Sequence, residues 1–287
     1  MIILDFNQVA IANLMTSIRG HQTEVNENLL RHMILNSIRM NRTKFVGEYG
    51  EMVIACDSRN YWRKQIFPYY KASRKKNRDQ SGLDWNEIFR VLNKVREELK
   101  EYFPYPVLNI ETAEADDVIA ALCSEYGRDL GGDPILILSG DKDFMQLQKY
   151  SNVTQYDPIR KRFLKTNDPE KYLKEHILRG DSGDGIPNVL TEDDCFVANA
   201  RQRQLRQKAI DEILSADYPE DWIKADETFV RNYNRNRSLI DLSYIPKELT
   251  VTILKEYEGQ LGKKRNNLFN YFIKNKLKHL TECIGEF

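Results

Sequence analysis

Nine acidic residues of the chain fall in five short clusters, and four of those clusters stand where an apolar, strand-like run stops. Asp5 follows Ile2-Ile3-Leu4, and Asp57 follows Val53-Ile54-Ala55-Cys56. Glu114, Asp116 and Asp117 come shortly after Val107-Leu108-Asn109-Ile110, and Asp141 and Asp143 follow Ile135 to Leu138. Asp181 and Asp184 make the fifth. In an open parallel α/β sheet the ligand crevice lies outside the carboxyl ends of the strands, so these acids are expected to converge on one site. Carboxylates crowded into one pocket raise one another's pKa values and oppose folding unless cations neutralise them. Oxygen donors without His or Cys at ligand spacing select Mg²⁺ or Mn²⁺ over Zn²⁺. A single strand-end Asp is more often a turn or helix cap, but capping does not account for five clusters in step with the strands.

Strand patterns near 2-6, 51-57, 106-110, 135-140 and 153-156 alternate with helical patterns near 26-40, 85-102 and 114-126. This alternation predicts an α/β fold with a doubly wound, mostly parallel sheet over residues 1-167. Past the Pro-punctuated connector Tyr156-Asp157-Pro158 to Asn167-Asp168-Pro169, strand signals fade. Helices are expected at 168-179, 193-215, 219-230, 247-258 and 265-284, giving a smaller helical region over 168-287. The stretch ASRKKNRDQSGL at 72-83 reads as a mobile loop leading into the 85-102 helix.

Charge is balanced overall, 43 basic against 43 acidic residues, but its distribution is uneven. Arg59, Arg63, Lys64, Lys71, Arg74, Lys75, Lys76 and Arg78 occur with no acid among them, interleaved with Tyr61, Trp62, Phe67, Tyr69 and Tyr70. Setting aside the nine clustered acids leaves 43 positive against 34 negative. A positive surface around an acidic, cation-loaded pocket suits a phosphodiester, steered by Lys and Arg and cut with the help of metal. Glu114-Ala115-Asp116-Asp117 opens a helix with more acid than a cap needs. Asp141 and Asp143, two residues apart, can address two metal positions in a two-ion centre. The cysteines (Cys56, Cys123, Cys195, Cys283) are widely spaced, as expected of reduced thiols in a cytoplasmic protein. The histidines (His21, His32, His176, His279) have no clustered partners in sequence and read as surface or packed groups. The apolar runs are too short to span a bilayer.

LDFNQ, YWRKQIFPYYKASR, EADDVIA, SGDKDF and RGDSGDGIPN occur in the order found in the 5′-nuclease or flap endonuclease family, and the chain resembles that family from end to end. The resemblance implies a PIN-like 5′-nuclease core with a helical arch near 70-100. It implies a first metal site from Asp5, Asp57, Glu114, Asp116 and Asp141, and a second formed or supported by Asp117, Asp143, Asp181 and Asp184. Two Mg²⁺ are expected, with Mn²⁺ able to substitute. Lys71 and Arg74 match the basic pair of the family's Tyr-Lys-x-x-Arg motif and are expected to act with Asp116 and Asp141 in catalysis, stabilising charge on the scissile phosphate. Arg63, Tyr70, Lys75 and Lys76 are expected to bind substrate, with Tyr70 stacking on a nucleotide. The implied activity is a Mg²⁺-dependent 5′ to 3′ exonuclease and flap endonuclease with RNase H activity. Its substrates would be 5′ flaps, nicked or gapped duplex DNA and RNA primers in RNA-DNA hybrids, in lagging-strand primer removal during phage replication in the host cytoplasm.

The chain departs from the family after Gly180 to Val189, where Leu190-Thr191-Glu192-Asp193-Asp194-Cys195 lacks the glycine-rich hairpin of the helix-three-turn-helix. This variant element gives no support for the potassium ion such hairpins often hold. Duplex contact is expected to shift to a basic helix carrying Arg201, Arg203, Arg206 and Lys208. A sliding-clamp contact through a tail before the first strand is not expected. A single-strand DNA-binding protein on the C-terminal helices is the protein partner considered, and a monomer is expected. A PIN-type ribonuclease shares the sheet and acids but not the arch or the Gly180-Asp181 element. A haloacid-dehalogenase-like phosphatase needs an Asp where Asn7 stands. A non-catalytic junction binder would lack acids that are present here.

Overall fold

Side chains alternate across a strand, and in the first strand, β1 (Ile2–Asp5), this sends Ile2 and Leu4 to one face and Ile3 to the other. The computed structural model describes residues 1–18, 26–216, 218–265 and 267–287; of the sequence expectations, the reading of His21 lies outside them. β1 passes directly into α1 (Phe6–Ile18), a helix absent from the sequence expectation. Its buried Phe6, Val9, Ala10 and Leu14 have helical spacing, but no charged residue marks an outer face. α2 (Glu27–Tyr49) starts at Asn26, whose side chain accepts from the Leu29 N–H, and runs well past the expected end at 40. β2 (Met52–Ala55) leads into α3 (Arg63–Ile66), α4 (Ser73–Gln80) and α5 (Trp85–Tyr102). α4 corrects the loop expected at 72-83: the segment is helical, with no buried side chain.

β3 (Val107–Leu108), α6 (Ala115–Tyr126) and β4 (Ile135–Leu138) follow, then a 3₁₀ stretch over Lys142–Lys149, β5 (Val153–Asp157) and β6 (Arg162–Leu164). β6 is a further strand inside what read as a connector, folded back antiparallel on β5. The remaining helices are α7 (Pro169–Arg179), α8 (Gln207–Leu214), α9 (Glu227–Ile240), α10 (Lys247–Gly259), α11 (Leu268–Lys274) and α12 (Lys278–Thr281). The helix expected at 193-215 forms only in its last third. Arg201 and Arg203 therefore lie on irregular backbone, and Arg206 is the residue before α8. Tertiary hydrogen bonds hold this backbone out of a helix. The Asn188 N–H donates to Gln202 Oε1 and its side chain donates to the Arg203 carbonyl, while the Arg203 N–H donates to Thr191 Oγ1.

The sheet order is β3-β2-β1-β4-β5-β6, parallel throughout except for β6. From β1 the chain builds to one side through β2 and β3, then returns to β1's other edge as β4. The strand order reverses between β1 and β4, and the crevice at their carboxyl ends is the expected ligand position of a doubly wound sheet. One face, with Ile2, Leu4, Met52, Ile54, Leu136 and Leu138, is covered by α1, α2, α5 and the chain's last helices. The opposite face, with Ile3, Val53, Ala55, Leu108, Ile135 and Ile137, is covered by α6 and α10. A third apolar cluster joins Phe67 and Tyr70 at the arch base to α7, α8 and α9 through Ile177, Leu178, Ile210, Ile213, Phe229 and Tyr233. Among the described residues, no helix is long and apolar enough to cross a membrane.

Candidate metal centre and its basic arch

At the end of β1, Asp5 is almost fully buried, and its carboxylate accepts from the Gln8 N–H (3.1 Å) and from Ser139 Oγ beyond β4 (2.9 Å). Burial, together with Asp57 and Asp141, pushes its pKa up to about 7 against the hydrogen bonds from Gln8 and Ser139. Asp57, past the end of β2, accepts from the Ala115 N–H (2.8 Å) and Asn7 Nδ2 (2.6 Å), tying β2 to the first turn of α6. Burial raises its pKa too. Asp116, in that first turn, is held well above the usual carboxylate range by burial and by Asp141, Glu114 and Asp5, against the pull of Lys71. Asp141 ends β4's loop with its side chain accepting from the Asp143 N–H (3.0 Å), and burial raises its pKa. Asp143 is pushed up to about 8 by burial and by Asp141.

Glu114 is the exception. Burial opposes its ionisation, yet Lys71 and Arg63 hold its pKa below the ordinary value. Its carboxylate accepts from Arg63 (2.8 Å), the Tyr70 hydroxyl (2.9 Å) and the Lys71 ammonium. Tyr70 Oη also lies 2.9 Å from Asp184, and one phenolic proton cannot serve both acids. Asp184 in turn pairs with Arg74 and lies 3.4 Å from Lys71 Nζ. The Gly180–Gly185 turn docks on the arch base: the Lys71 N–H donates to the Asp184 carbonyl (2.7 Å), and a Cβ on Gly185 (φ 75°) would sit 3.0 Å from the Tyr69 carbonyl. Lys71 itself adopts φ 56°, a left-handed conformation costly for a side-chain-bearing residue. The acids at the sheet edge, the arch base and the turn before Ile186 therefore form one connected array.

The structure departs from the expected site at several residues. Asp117, expected to support metal, is fully buried and accepts from Trp62 Nε1 (3.1 Å) and the Glu114 N–H (2.9 Å), with Arg63 2.9 Å away. It closes a capping box on α6 and anchors Arg63. Arg63, expected to bind substrate, is 2 % exposed and donates to Glu114 and the Leu239 carbonyl, linking the arch base to α9. Tyr70, expected to stack on a base, is buried with its hydroxyl on the two acids. Arg201 and Arg203 are exposed on irregular backbone instead of a basic helix. Lys75 stays exposed on α4, and Lys76 bonds Asn199 Oδ1 (3.0 Å), bringing α4 to the basic segment before α8.

One participant escaped the sequence reading. His176, in the last turn of α7, has Nδ1 3.4 Å from Asp143 and Nε2 3.6 Å from Asp181. Among the described residues, these three form the one group of metal-binding types whose donor atoms all lie within 4.8 Å of one another. The 33 residues from Asp143 to His176 carry no local spacing that could have revealed it. Two cavities flank the array. One, about 740 Å³, lies under the arch between Asp57, Tyr61, Lys64, Lys71, Arg74 and Arg78. The second, about 630 Å³, opens over Asp141, Asp143, His176 and Asp181. The donor set fits divalent cations: Asp5, Asp116, Asp141 and Asp143 are oxygen donors whose pKa values are raised, and the buried His176 Nδ1, with no hydrogen-bond partner, adds a nitrogen beside them.

Residues 6–177 match the sequence model of the "5'-3' exonuclease, N-terminal resolvase-like domain", and residues 168–287 match "T4 RNase H, C terminal". Ribonuclease H of Enterobacteria phage T4 is 34% identical over 99% of this chain and 95% of its own length. Among solved structures, the bacteriophage T5 D15 protein co-crystallised with metal ions superposes with a TM-score of 0.65 at 16% identity, covering 90% of this chain and 98% of its own. The T5 D15 flap endonuclease in complex with DNA and metal ions gives a TM-score of 0.61 at 17% identity over the same shares. At those identities the structural likeness speaks for the fold: a mostly parallel six-stranded sheet with a helical C-terminal region. With the phage T4 relative matched along almost its whole length and the exonuclease domain spanning more than half of the chain, this protein belongs to the 5′-3′ exonuclease family and is a nuclease that hydrolyses phosphodiesters.

Proposed function

We propose that the chain is a Mg²⁺-dependent 5′ to 3′ exonuclease and flap endonuclease acting on 5′ flaps, nicked or gapped duplex DNA and RNA primers in RNA-DNA hybrids, in the removal of lagging-strand primers. The observation that carries this reading is the junction of opposites at the arch base, where Lys71 and Arg74 are held directly against Glu114 and Asp184. A phosphate entering there finds cations fixed in place on one side and a cation-demanding acid cluster on the other. Asp5, Asp57, Glu114, Asp116 and Asp141 would hold one divalent ion, and Asp143, Asp181 and Asp184 a second. When bound, such ions supply activation of the attacking water and neutralisation of charge on the departing oxygen.

The chain's own residues do the rest. Asp184 and Glu114 position Lys71 and Arg74 beside the acid cluster, where both would contact the phosphate. Lys71, whose ammonium burial disfavours but Asp184 and Glu114 hold charged, stays a cation throughout the working pH range. Arg59, Lys64 and Arg78 along the cavity under the arch draw in the single-stranded 5′ end. Arg201, Arg203 and Arg206, exposed beside Asn199 and Lys76, would contact the duplex backbone.

The test uses 5′-labelled flap, nicked and RNA-primed substrates, with and without Mg²⁺, and sizes the first products. Release of short 5′ products that stops on chelation is expected. Cleavage of single-stranded RNA with no preference for a duplex junction would instead assign a PIN-type ribonuclease.

A further inference from the structure

The acids around Asp141 are oxygen donors, but the second cavity adds a nitrogen. His176 is 15% exposed, and its ring is braced edge-on by Tyr172 with centroids 6.1 Å apart. Its two nitrogens face two different carboxylates, Asp143 at 3.4 Å and Asp181 at 3.6 Å. Both separations are longer than an N–H···O bond of about 2.7–3.2 Å. The 3.4 Å between Nδ1 and Asp143 corresponds to two donors sharing one cation, which lie roughly 3.0–3.5 Å apart when the bonds are about 2.1 Å. Nδ1, the nitrogen that faces Asp143, is buried and has no hydrogen-bond partner.

The backbone fixes this arrangement. Gly180 at the end of α7 has φ 67°, and a Cβ there would lie 2.4 Å from the Ile186 carbonyl, so the turn can close only on glycine. Asp181 then pairs with Ile186 in an isolated bridge and spends one carboxylate oxygen on the Gly183 N–H (2.7 Å) and the Asp184 N–H (3.2 Å). Its other oxygen faces His176. Gln8, Asp157 and Arg160 line the same open cavity, which gives a hydrated ion a way in.

Resting on the reading of this pocket as a divalent-cation centre, we propose that His176 supplies a ring nitrogen to the cation beside Asp143. This position is then a mixed nitrogen–oxygen site that favours first-row transition cations over Mg²⁺. Imidazole is a poor ligand for Mg²⁺ and a good one for Mn²⁺, Co²⁺ and Zn²⁺, so the two metal positions of the one centre differ in the cation they prefer. In this arrangement Asp181 serves the cation through the ring, facing Nε2 from its far side as carboxylates do for metal-bound histidines, and His176 takes its place among the ligands.

The test is cation binding to the whole protein without nucleic acid. Pulsed electron paramagnetic resonance of bound Mn²⁺ should show ¹⁴N coupling in the wild type and none in His176→Gln. Calorimetry should show His176→Gln losing at least about tenfold in Mn²⁺ and Co²⁺ affinity while Mg²⁺ affinity changes less than about threefold. Mn²⁺ bound without ¹⁴N coupling, or coupling that survives His176→Gln, overturns the proposal and leaves the metal-nuclease reading standing. An equal loss for Mg²⁺ and Mn²⁺ in the variant also overturns it, making His176 a residue that only positions Asp181. A wild-type protein that binds no divalent cation sinks both readings together.

Discussion

Lys71 is strained in its backbone, nearly buried in its side chain and paired with two acids, a combination that a surface phosphate anchor does not need. If it stabilises charge that develops only as the phosphodiester breaks, Lys71→Ala should lower single-turnover kcat on a 5′ flap by on the order of 10²–10³ while binding measured in Ca²⁺ barely changes. Arg74→Ala should do the same to a smaller degree, since Arg74 is the more exposed partner of Asp184. Weakened binding with intact turnover would make both residues anchors. The acids divide by the same logic. Asp141→Asn or Asp116→Asn keeps shape and removes charge, so cleavage should vanish in Mg²⁺ while the fold and flap binding persist. Asp117→Ala should behave in the opposite way. It leaves Arg63 buried with one partner fewer, an arrangement whose disruption typically costs about 3–5 kcal/mol, so thermal stability should fall while divalent-cation affinity per folded molecule holds. A loss of cation affinity without destabilisation would return Asp117 to the ligand set.

At the scale of elements, α4 and α5 are neighbours in the chain with opposite support. α5 buries Ile88, Val91, Leu92, Val95 and Leu99 against the sheet, whereas the eight residues of α4 bury nothing and are shorter than the roughly 12–15 residues an isolated helix needs. Amide exchange in α4 should therefore be fast in the free protein and slow with flap DNA bound in Ca²⁺, with α5 slow in both; equal protection of α4 in the two states would show that DNA does not order the arch. The same contrast explains what could be read in advance. The short apolar strands and the amphipathic α5 announce themselves through periodicity. The uncharged α1 does not, because no charged face sets off its apolar residues at helical spacing. The basic segment 199–206 reads as helix and is not, because Asn188 and Thr191 take its backbone groups in contacts no local window contains. The clustering of acids at strand ends was legible because sheet topology alone brings them together. The burial of Arg63 and Tyr70 and the placing of His176 depend on α7 and α9 packing against the arch, which the sequence does not display.

Taken as a whole, the molecule folds around a centre whose charges it does not fully compensate, and its stability should therefore depend on pH in an unusual sense. Asp5 and Asp143 have folded pKa values of about 7 and about 8, well above the ordinary value of 3.8. The folded protein thus holds protons that the unfolded chain has already released. Through such groups stability is fully present below about pH 4 and is lost as pH rises through 7 and 8. His176, raised from 6.5 despite burial by Asp181 and Asp143, acts in the same direction: its proton is bound more tightly in the folded state and its contribution fades as pH rises. Glu114 and Asp181, whose pKa values are lowered, act oppositely, but only below the ordinary carboxylate range. In chelator, the melting temperature should therefore fall by roughly 5 °C or more between pH 5 and pH 8. Saturating Mg²⁺ replaces the lost protons with a cation that binds the folded state alone, so the gain in melting temperature on adding it should be small at pH 5 and large at pH 8. Calorimetric melts across that range, with and without Mg²⁺, check both halves. A metal-free protein that grows steadily more stable from pH 5 to pH 8 would mean that these acids are already compensated within the fold, and that the centre does not need a cation to hold its charge.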